Sequence, residues 1–254
     1  MLGIKNTTEK NTNSHFEEML KAGVHFGYSR SRRHPKIKDY IFGVKNNVEI
    51  FNLEKTKQKI NEAKDFLKNL AKNNKKILLV GTKVESRNLI EKMAKEINMP
   101  FVNERWVGGT LTNFKTIKGR IGYMNELLKN KESGELNKYT KKEQVQIEKK
   151  IAKLKSYFGG LDKIEELPSA IIVVDTKKEK IAVAEAKRMF IPVAGILNSD
   201  CDPDMVNYPI PANDNSVSSV GYILQELKEA YKEGLEEAEK AEKTEKVEQI
   251  TNNK

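Results

Sequence analysis

The chain has 254 residues, of which 38% are hydrophobic, enough to bury one substantial core. Its 46 basic and 36 acidic residues leave a formal charge of +10, which favours a polyanionic partner such as nucleic acid. The single cysteine, Cys201, excludes an internal disulfide and a zinc site built from several cysteines. No apolar run has the length of a membrane span or the pattern of a secretory signal, so we predict a soluble, cytoplasmic protein without a membrane partner.

The N-terminal part predicts a hairpin at the entry to the fold. Residues 1–13 are polar with little to bury, which predicts a disordered extension. The segment 14–23 opens with capping-box spacing, serine followed three residues later by glutamate, and predicts a short helix. Residues 37–44 and 48–51 are strand-like, and Asn46-Asn47 between them suits a turn with positive φ.

Strands and helices then alternate. The continuous apolar run 77–80 is typical of a strand buried on both faces of a sheet. Further strands are predicted over 100–102, 170–174 and 192–196, and helices over 53–72, 85–97, 178–190 and 216–231. This alternation predicts a flavodoxin-like α/β domain over residues 14–104 and 167–231, with a mainly parallel sheet and helices on both faces.

Residues 105–166 form an insertion with a different period. Two heptad patterns, one of them running from Phe114 to Leu128 and the other from Ile147 to Leu161, predict an antiparallel coiled-coil helical hairpin. Its lysine-rich outer faces are either solvated surfaces or docking surfaces. The charged tail 232–254 alternates Glu, Lys and Ala without an apolar face, so we expect no packing there, whether it is a frayed helix or disordered.

The evidence for a catalytic or ligand-binding site is weak. The turn Gly81–Lys83 follows a buried strand, so a nucleotide-binding α/β enzyme could use Lys83 for phosphate and Asp175 for a metal or ribose, but glycine-rich nucleotide motifs are absent. The carboxylates Asp200, Asp202 and Asp204 suit a turn better than a Mg²⁺ site. We find no nucleophile–base arrangement, and predict no catalysis, cofactor or metal.

A basic segment lies just before the hairpin. Its cationic members are Arg30, Arg32, Arg33, Lys36 and Lys38. Arginine favours bidentate phosphate contact, and such a segment positions a protein on a nucleic-acid backbone. We therefore predict that these five residues neutralise RNA phosphates, the alternative being an exposed surface loop.

The stretch from Arg105 to Phe114 contains the only tryptophan, a pair of glycines and several small polar residues. One interpretation is a tight turn with a buried Trp before a helix. The other is an RNA-binding loop, since arginine and tryptophan stack on bases and paired glycines allow a close backbone approach. Its predicted contacts are Arg105, Trp106, Gly108, Gly109, Thr110, Thr112, Asn113 and Lys115.

This stretch resembles a signature of the bacterial small-subunit ribosomal protein two family. Other motifs resemble the family in the same order: MLKAGVHFG at 19–27, IFNLEKT at 50–56, VGTK at 80–83, NSD at 198–200 and DPD at 202–204. The resemblance extends from about residue 14 to about residue 231. The segment 28–33 departs from it by being more basic than the family pattern predicts.

The resemblance implies a fold and a function. It implies a helical hairpin on an α/β domain, in a structural protein that binds 16S ribosomal RNA at the junction of head and body of the small subunit. It also implies neighbouring small-subunit proteins as partners, including recruitment of the largest one, and no DNA. The predicted location is the cytoplasmic ribosome.

Overall fold

The computed structural model describes the backbone of residues 15–252 and the side chains of residues 15–241 apart from Asn137, so the predicted N-terminal extension lies outside the described residues. The strands are β1 (Phe26–Ser29), β2 (Ile41–Lys45), β3 (Val48–Phe51), β4 (Ile77–Val80), β5 (Phe101–Val102), β6 (Ala170–Val174), β7 (Val193–Leu197) and β8 (Tyr208–Pro211). The helices are α1 (described over residues 15–21), α2 (Leu53–Lys72), α3 (Val84–Glu96), α4 (Phe114–Glu132), α5 (Lys141–Phe158), α6 (Lys180–Arg188) and α7 (Val217–Asn252).

The main sheet has five parallel strands in the order β5-β4-β6-β7-β8. With β4 counted as the first strand, this is the 2-1-3-4-5 order of flavodoxin-like folds, in which the strand order reverses between the first and third strands. The predicted α/β class and parallel sheet are confirmed. Among the described residues, no helix combines the length and the apolar character needed to cross a membrane.

Alternate side chains of the strands enter two cores. Ile77 and Leu79 pack in one cluster with residues of α2, α3 and α7. Leu78 and Val80 pack in the other, with residues of α6 and the first turns of α4. Because successive strand residues point to opposite faces, a strand covered on both sides must be apolar throughout, as the run 77–80 is.

A smaller antiparallel sheet, ordered β1-β3-β2, lies beside the first. Asn46 (φ 50°) and Asn47 (φ 63°) form the turn between β2 and β3, which confirms the predicted positive φ. The strand predicted over 37–44 is wrong at its start, because Pro35–Tyr40 forms a 3₁₀ helix with its proline at the first position. Proline has a fixed φ and lacks an N–H for a strand ladder. The strand β1 was not predicted, because its four residues include a glycine, a residue that is depleted in strands.

The insertion contains the two helices predicted for it. The Lys131 Nζ atom lies 2.8 Å from Glu148 of the second helix, and the Lys150 Nζ atom donates to the Tyr123 hydroxyl at 2.8 Å. Ile117, Ile121 and Met124 of the seam in α4 pack in the second core of the α/β domain. The coiled-coil geometry of this pair stays a prediction.

The tail differs from its prediction. Helix α7 continues through the predicted boundary between residues 231 and 232, and a Cβ atom at Gly234 would lie 2.5 Å from the carbonyl oxygen of Lys68 in α2. Ala238 is buried, and Glu237 pairs with Lys68 and Lys72 at 2.8 and 2.7 Å. The expectation of no packing is therefore wrong over 232–238, where small residues allow two helices to approach without a large apolar face.

Candidate nucleic-acid interface

The loop that begins at Trp106 folds inward. Trp106 is 7% exposed, and its indole Nε1 donates to a carboxylate oxygen of Glu185 in α6 at 3.2 Å. Gly109 has a φ of 92°, a conformation that side chains rarely adopt, and so allows the tight turn that follows the tryptophan. The interpretation of the loop as a tight turn with a buried tryptophan is confirmed.

Glu185 is the anchor of this loop. One of its carboxylate oxygens also accepts the Gly109 N–H at 2.7 Å, and the other accepts the N–H groups of Leu111 and Thr112 at 3.0 and 3.2 Å. The Thr112 hydroxyl donates to the second oxygen as well, at 3.2 Å. Burial raises the pKa of Glu185, but these hydrogen bonds outweigh it and leave the pKa below its ordinary value. The buried carboxylate is therefore ionised and fully occupied by the loop.

The predicted contacts of the loop divide into two groups. The side chains of Trp106 and Thr110 are buried, and the Thr110 hydroxyl donates to the Val107 carbonyl at 2.6 Å. The polar groups of both side chains hold the loop, and RNA contact by these two residues stays a prediction. The exposed members are Arg105, Gly108, Thr112, Asn113 and Lys115, and Gly109 is half-buried.

The basic segment also divides. Arg33 pairs with the fully buried Glu49 at 3.2 Å, and Lys36 pairs with Asp202 and Asp204 at 3.2 and 2.7 Å. The other three cations, Arg30, Arg32 and Lys38, are exposed, and none forms an ion pair with another described residue. The Arg32 guanidinium lies 5.5 Å from the centroid of the Tyr28 ring. The segment therefore combines two anchored cations with three that face solvent.

The carboxyl edge of the main sheet contains Lys83 and Asp175, the two residues that a nucleotide-binding enzyme could use. Lys83 follows β4 and Asp175 follows β6, so both lie where the strand order reverses. The Lys83 Nζ atom lies 3.3 Å from Asp175 and 3.2 Å from Asp214. Burial lowers the pKa of Lys83, but the attraction of these two carboxylates outweighs burial and raises it. A phosphate at this ammonium would have to displace carboxylates that already neutralise it.

Asp214 is fully buried and accepts a hydrogen bond from the Asn198 amide at 2.6 Å. Burial raises its pKa to about 6, since the amide and the ammonium of Lys83 offset only part of the lost hydration. Its second carboxylate oxygen, the one facing Lys83, is buried and accepts no hydrogen bond within normal geometry from the described residues.

Other polar groups at this edge are also paired within the chain. The backbone N–H of Thr82 donates to the buried Glu179 at 3.0 Å, and Lys178 donates to the Thr82 carbonyl at 3.3 Å. The aspartates considered for Mg²⁺ have lysine partners: Asp200 lies 2.8 Å from Lys177, and the other two pair with Lys36. The chain's own charges occupy the positions where a ligand of this fold would be bound.

Sequence reasoning missed Glu185, although a signal was present. Ala182, Val183 and Ala186 form the buried face of α6, and Glu185 lies within that apolar face. A carboxylate on the buried side of a helix requires several donors, which the glycine-rich loop supplies through its backbone. Reasoning from one segment at a time could not identify the donors, because 76 residues separate Glu185 from Gly109.

A comparison with known families matches this architecture. The family described as ribosomal protein S2 matches residues 19–234, well over half of the 254 residues. The match includes the main sheet, the insertion, the basic segment and the Trp106 loop, and it agrees with the resemblance of the sequence motifs. The chain therefore belongs to the ribosomal protein S2 family, whose members are structural rather than enzymatic proteins of the small ribosomal subunit.

Proposed function

We propose that this protein binds 16S ribosomal RNA through two sets of surface residues. The first set is Arg30, Arg32 and Lys38 of the basic segment. The second is Arg105, Gly108, Gly109, Thr112, Asn113 and Lys115 of the loop and the start of α4. The observation that carries the proposal is that the first set is exposed and forms no ion pair within the described part of the chain, whereas Arg33 and Lys36 of the same segment are paired.

The anchored cations have a different role in this proposal. Arg33 and Lys36 hold the basic segment to Glu49 and to the Asp202–Asp204 turn, so that Arg30 and Arg32 are presented in a defined place. A segment whose backbone is already held in place loses less backbone entropy when phosphates bind. Phosphate neutralisation of this kind is independent of base sequence and weakens steeply as salt rises.

The proposed position on the subunit rests on the resemblance to the family. We propose contact at the junction of head and body, with neighbouring small-subunit proteins and recruitment of the largest one, in the cytoplasmic ribosome. The lysine-rich hairpin of α4 and α5 is a further docking surface in this proposal. No DNA, cofactor or membrane takes part.

Sedimentation of a cell lysate through sucrose, with and without ribonuclease, tests this function. We expect the protein to migrate with small subunits and to lose that position after ribonuclease. Replacing Arg30 and Arg32 with glutamine should weaken the association while leaving the fold intact, whereas Arg33 is left unchanged because it neutralises Glu49. A wild-type protein that stays at the top of both gradients would contradict the proposal and redirect attention to nucleotide binding at Gly81–Lys83.

A further inference from the structure

Helix α6 has an exposed groove beside the Trp106 loop. The groove has a volume of about 440 Å³ and is lined by Thr112, Lys180, Ile181, Ala184, Glu185 and Arg188. Positions 180, 181, 184 and 188 lie on one face of a helix, over about 12 Å of its length. Ile181 is 52% exposed, so an apolar strip lies between two cationic ends.

Phe190 stands just beyond the end of this helix and is 93% exposed. Its φ of 56° lies in the left-handed region, which is strained for a bulky side chain and usually contains glycine after a helix. The turn is closed by the Ile191 N–H, which donates to the Ala186 carbonyl at 2.9 Å. Among the residues that the structure describes, neither packing nor backbone geometry accounts for an aromatic residue at this position, and this points to a ligand outside the chain.

The charge around Phe190 indicates the kind of ligand. Lys180, Lys187 and Arg188 are exposed, and none forms an ion pair with another described residue. An exposed aromatic ring beside cations suits unpaired RNA, because the ring can stack on a base while the cations contact the flanking phosphates. Thr112 belongs both to this groove and to the exposed part of the loop, so the two surfaces are continuous.

We propose that the groove of α6 and Phe190 form a binding site for a single-stranded segment of ribosomal RNA. Phe190 stacks on an unpaired base, Lys187 and Arg188 contact the adjacent phosphates, and the strand continues past Ile181 towards Thr112. This inference rests on the proposed function, which it extends from phosphate contact to recognition of an unpaired nucleotide.

Photo-crosslinking from position 190 tests the identity of the ligand. The full-length protein with p-benzoylphenylalanine at this position is bound to small subunits from which the native protein has been removed by washing in salt. A crosslinked product that ribonuclease shortens supports the proposal. A product with another protein, or no product from a protein that still migrates with the subunits, overturns it. Failure of the wild-type protein to bind subunits is a separate result, which contradicts the proposed function instead.

Substitutions at the same position test the stacking. We expect Phe190→Gly and Phe190→Leu to weaken binding to the washed subunits about tenfold, and Phe190→Tyr to stay within about twofold of the wild type. Because glycine relieves the positive φ, Phe190→Gly should keep the thermal midpoint or raise it by about 2 °C. Lost affinity with unchanged or higher stability separates binding from a structural role. Binding of Phe190→Gly within twofold of wild type would overturn the stacking.

Discussion

The carboxyl edge of the main sheet and the basic segment both contain cationic side chains, but those at the edge are paired with carboxylates and Arg30 and Arg32 of the basic segment are not. At the edge, Lys83 has two carboxylate partners, Asp175 and Asp214, and most of the group is buried. On the surface, Arg30 and Arg32 are exposed and form no ion pair with another residue that the structure describes. The edge is where flavodoxin-like folds bind ligands, yet here the chain neutralises its own charges there. Position in a fold therefore identifies where a ligand can bind, and the pairing of charges shows whether the chain already neutralises the groups at that position.

The Trp106 loop combines the two states. Its inner groups donate to the buried carboxylate of Glu185, while Thr112 and Asn113 face solvent. The exposed part of the loop depends on this buried carboxylate, since backbone or side-chain groups of four loop residues donate hydrogen bonds to it. Each of the following substitutions removes a charge or a hydrogen-bond acceptor from the loop, the sheet edge or the basic segment.

The largest effect is expected for Glu185→Gln. The amide directs an N–H donor at groups that are themselves donors, so buried N–H groups of the loop lose their acceptor. We expect the free energy of unfolding to fall by about 2–4 kcal/mol. Denaturant unfolding followed by the fluorescence of Trp106, the only tryptophan, measures this loss.

The exposed Glu166→Gln is the matched control and should change stability by less than about 0.5 kcal/mol. The pKa of Glu185 lies below its ordinary value of 4.5, so its contribution is present above that pH and is lost as the pH falls through the folded-state pKa. The advantage of the wild type over Glu185→Gln should therefore shrink in acid. Equal stability of the wild type and Glu185→Gln at neutral pH would contradict the role of Glu185 in holding the loop.

The stability contributed by Asp214 at the sheet edge should depend on pH with a sign opposite to that of Glu185. The pKa of Asp214 is raised from 3.8 to about 6, so between these values the folded protein keeps a proton that the unfolded chain has lost. Stability contributed by Asp214 therefore falls as the pH rises through this window. The free energy of unfolding of the wild type minus that of Asp214→Asn should decrease by about 1–3 kcal/mol from about pH 4 to about pH 7. Denaturant unfolding at both pH values measures it, and a constant or rising difference would contradict the assignment.

Within the basic segment, Arg33→Ala is expected to destabilise the fold by about 1–3 kcal/mol, because it leaves the buried Glu49 without its cation. Arg30→Ala is the matched control and should stay within about 0.5 kcal/mol of the wild type, since its side chain is exposed. Thermal or denaturant unfolding of both proteins checks the difference. Equal effects would show that the two arginines are not distinguished by their environment.

Much of the fold follows from local pattern in the sequence. The strands 77–80 and 170–174 and the helix 53–72 were predicted with the bounds they have, because strands covered on both faces are continuous apolar runs and amphipathic helices have a strong period. The strand β8 was missed, since its four residues include two prolines, which is unusual in a strand and is tolerated here at the edge of the sheet.

The candidate site was less predictable than the fold. The sequence identified the Trp106 loop and the basic segment, but it could not say which side chains face inward. That depends on carboxylates distant in sequence, Glu185 for the loop and Glu49 for Arg33. The same limit hid Phe190, because its exposure and its positive φ are properties of the folded chain.

The salt dependence of binding tests the contrast between paired and unpaired charges most directly. The affinity of the wild type and of Arg30→Gln/Arg32→Gln for washed small subunits is measured over a range of salt concentrations. If the two arginines contact phosphates, the double variant should bind more weakly at low salt, and the slope of log affinity against log salt should be shallower by about 1.5–2. Parallel slopes for the two proteins would contradict RNA contact by the exposed arginines.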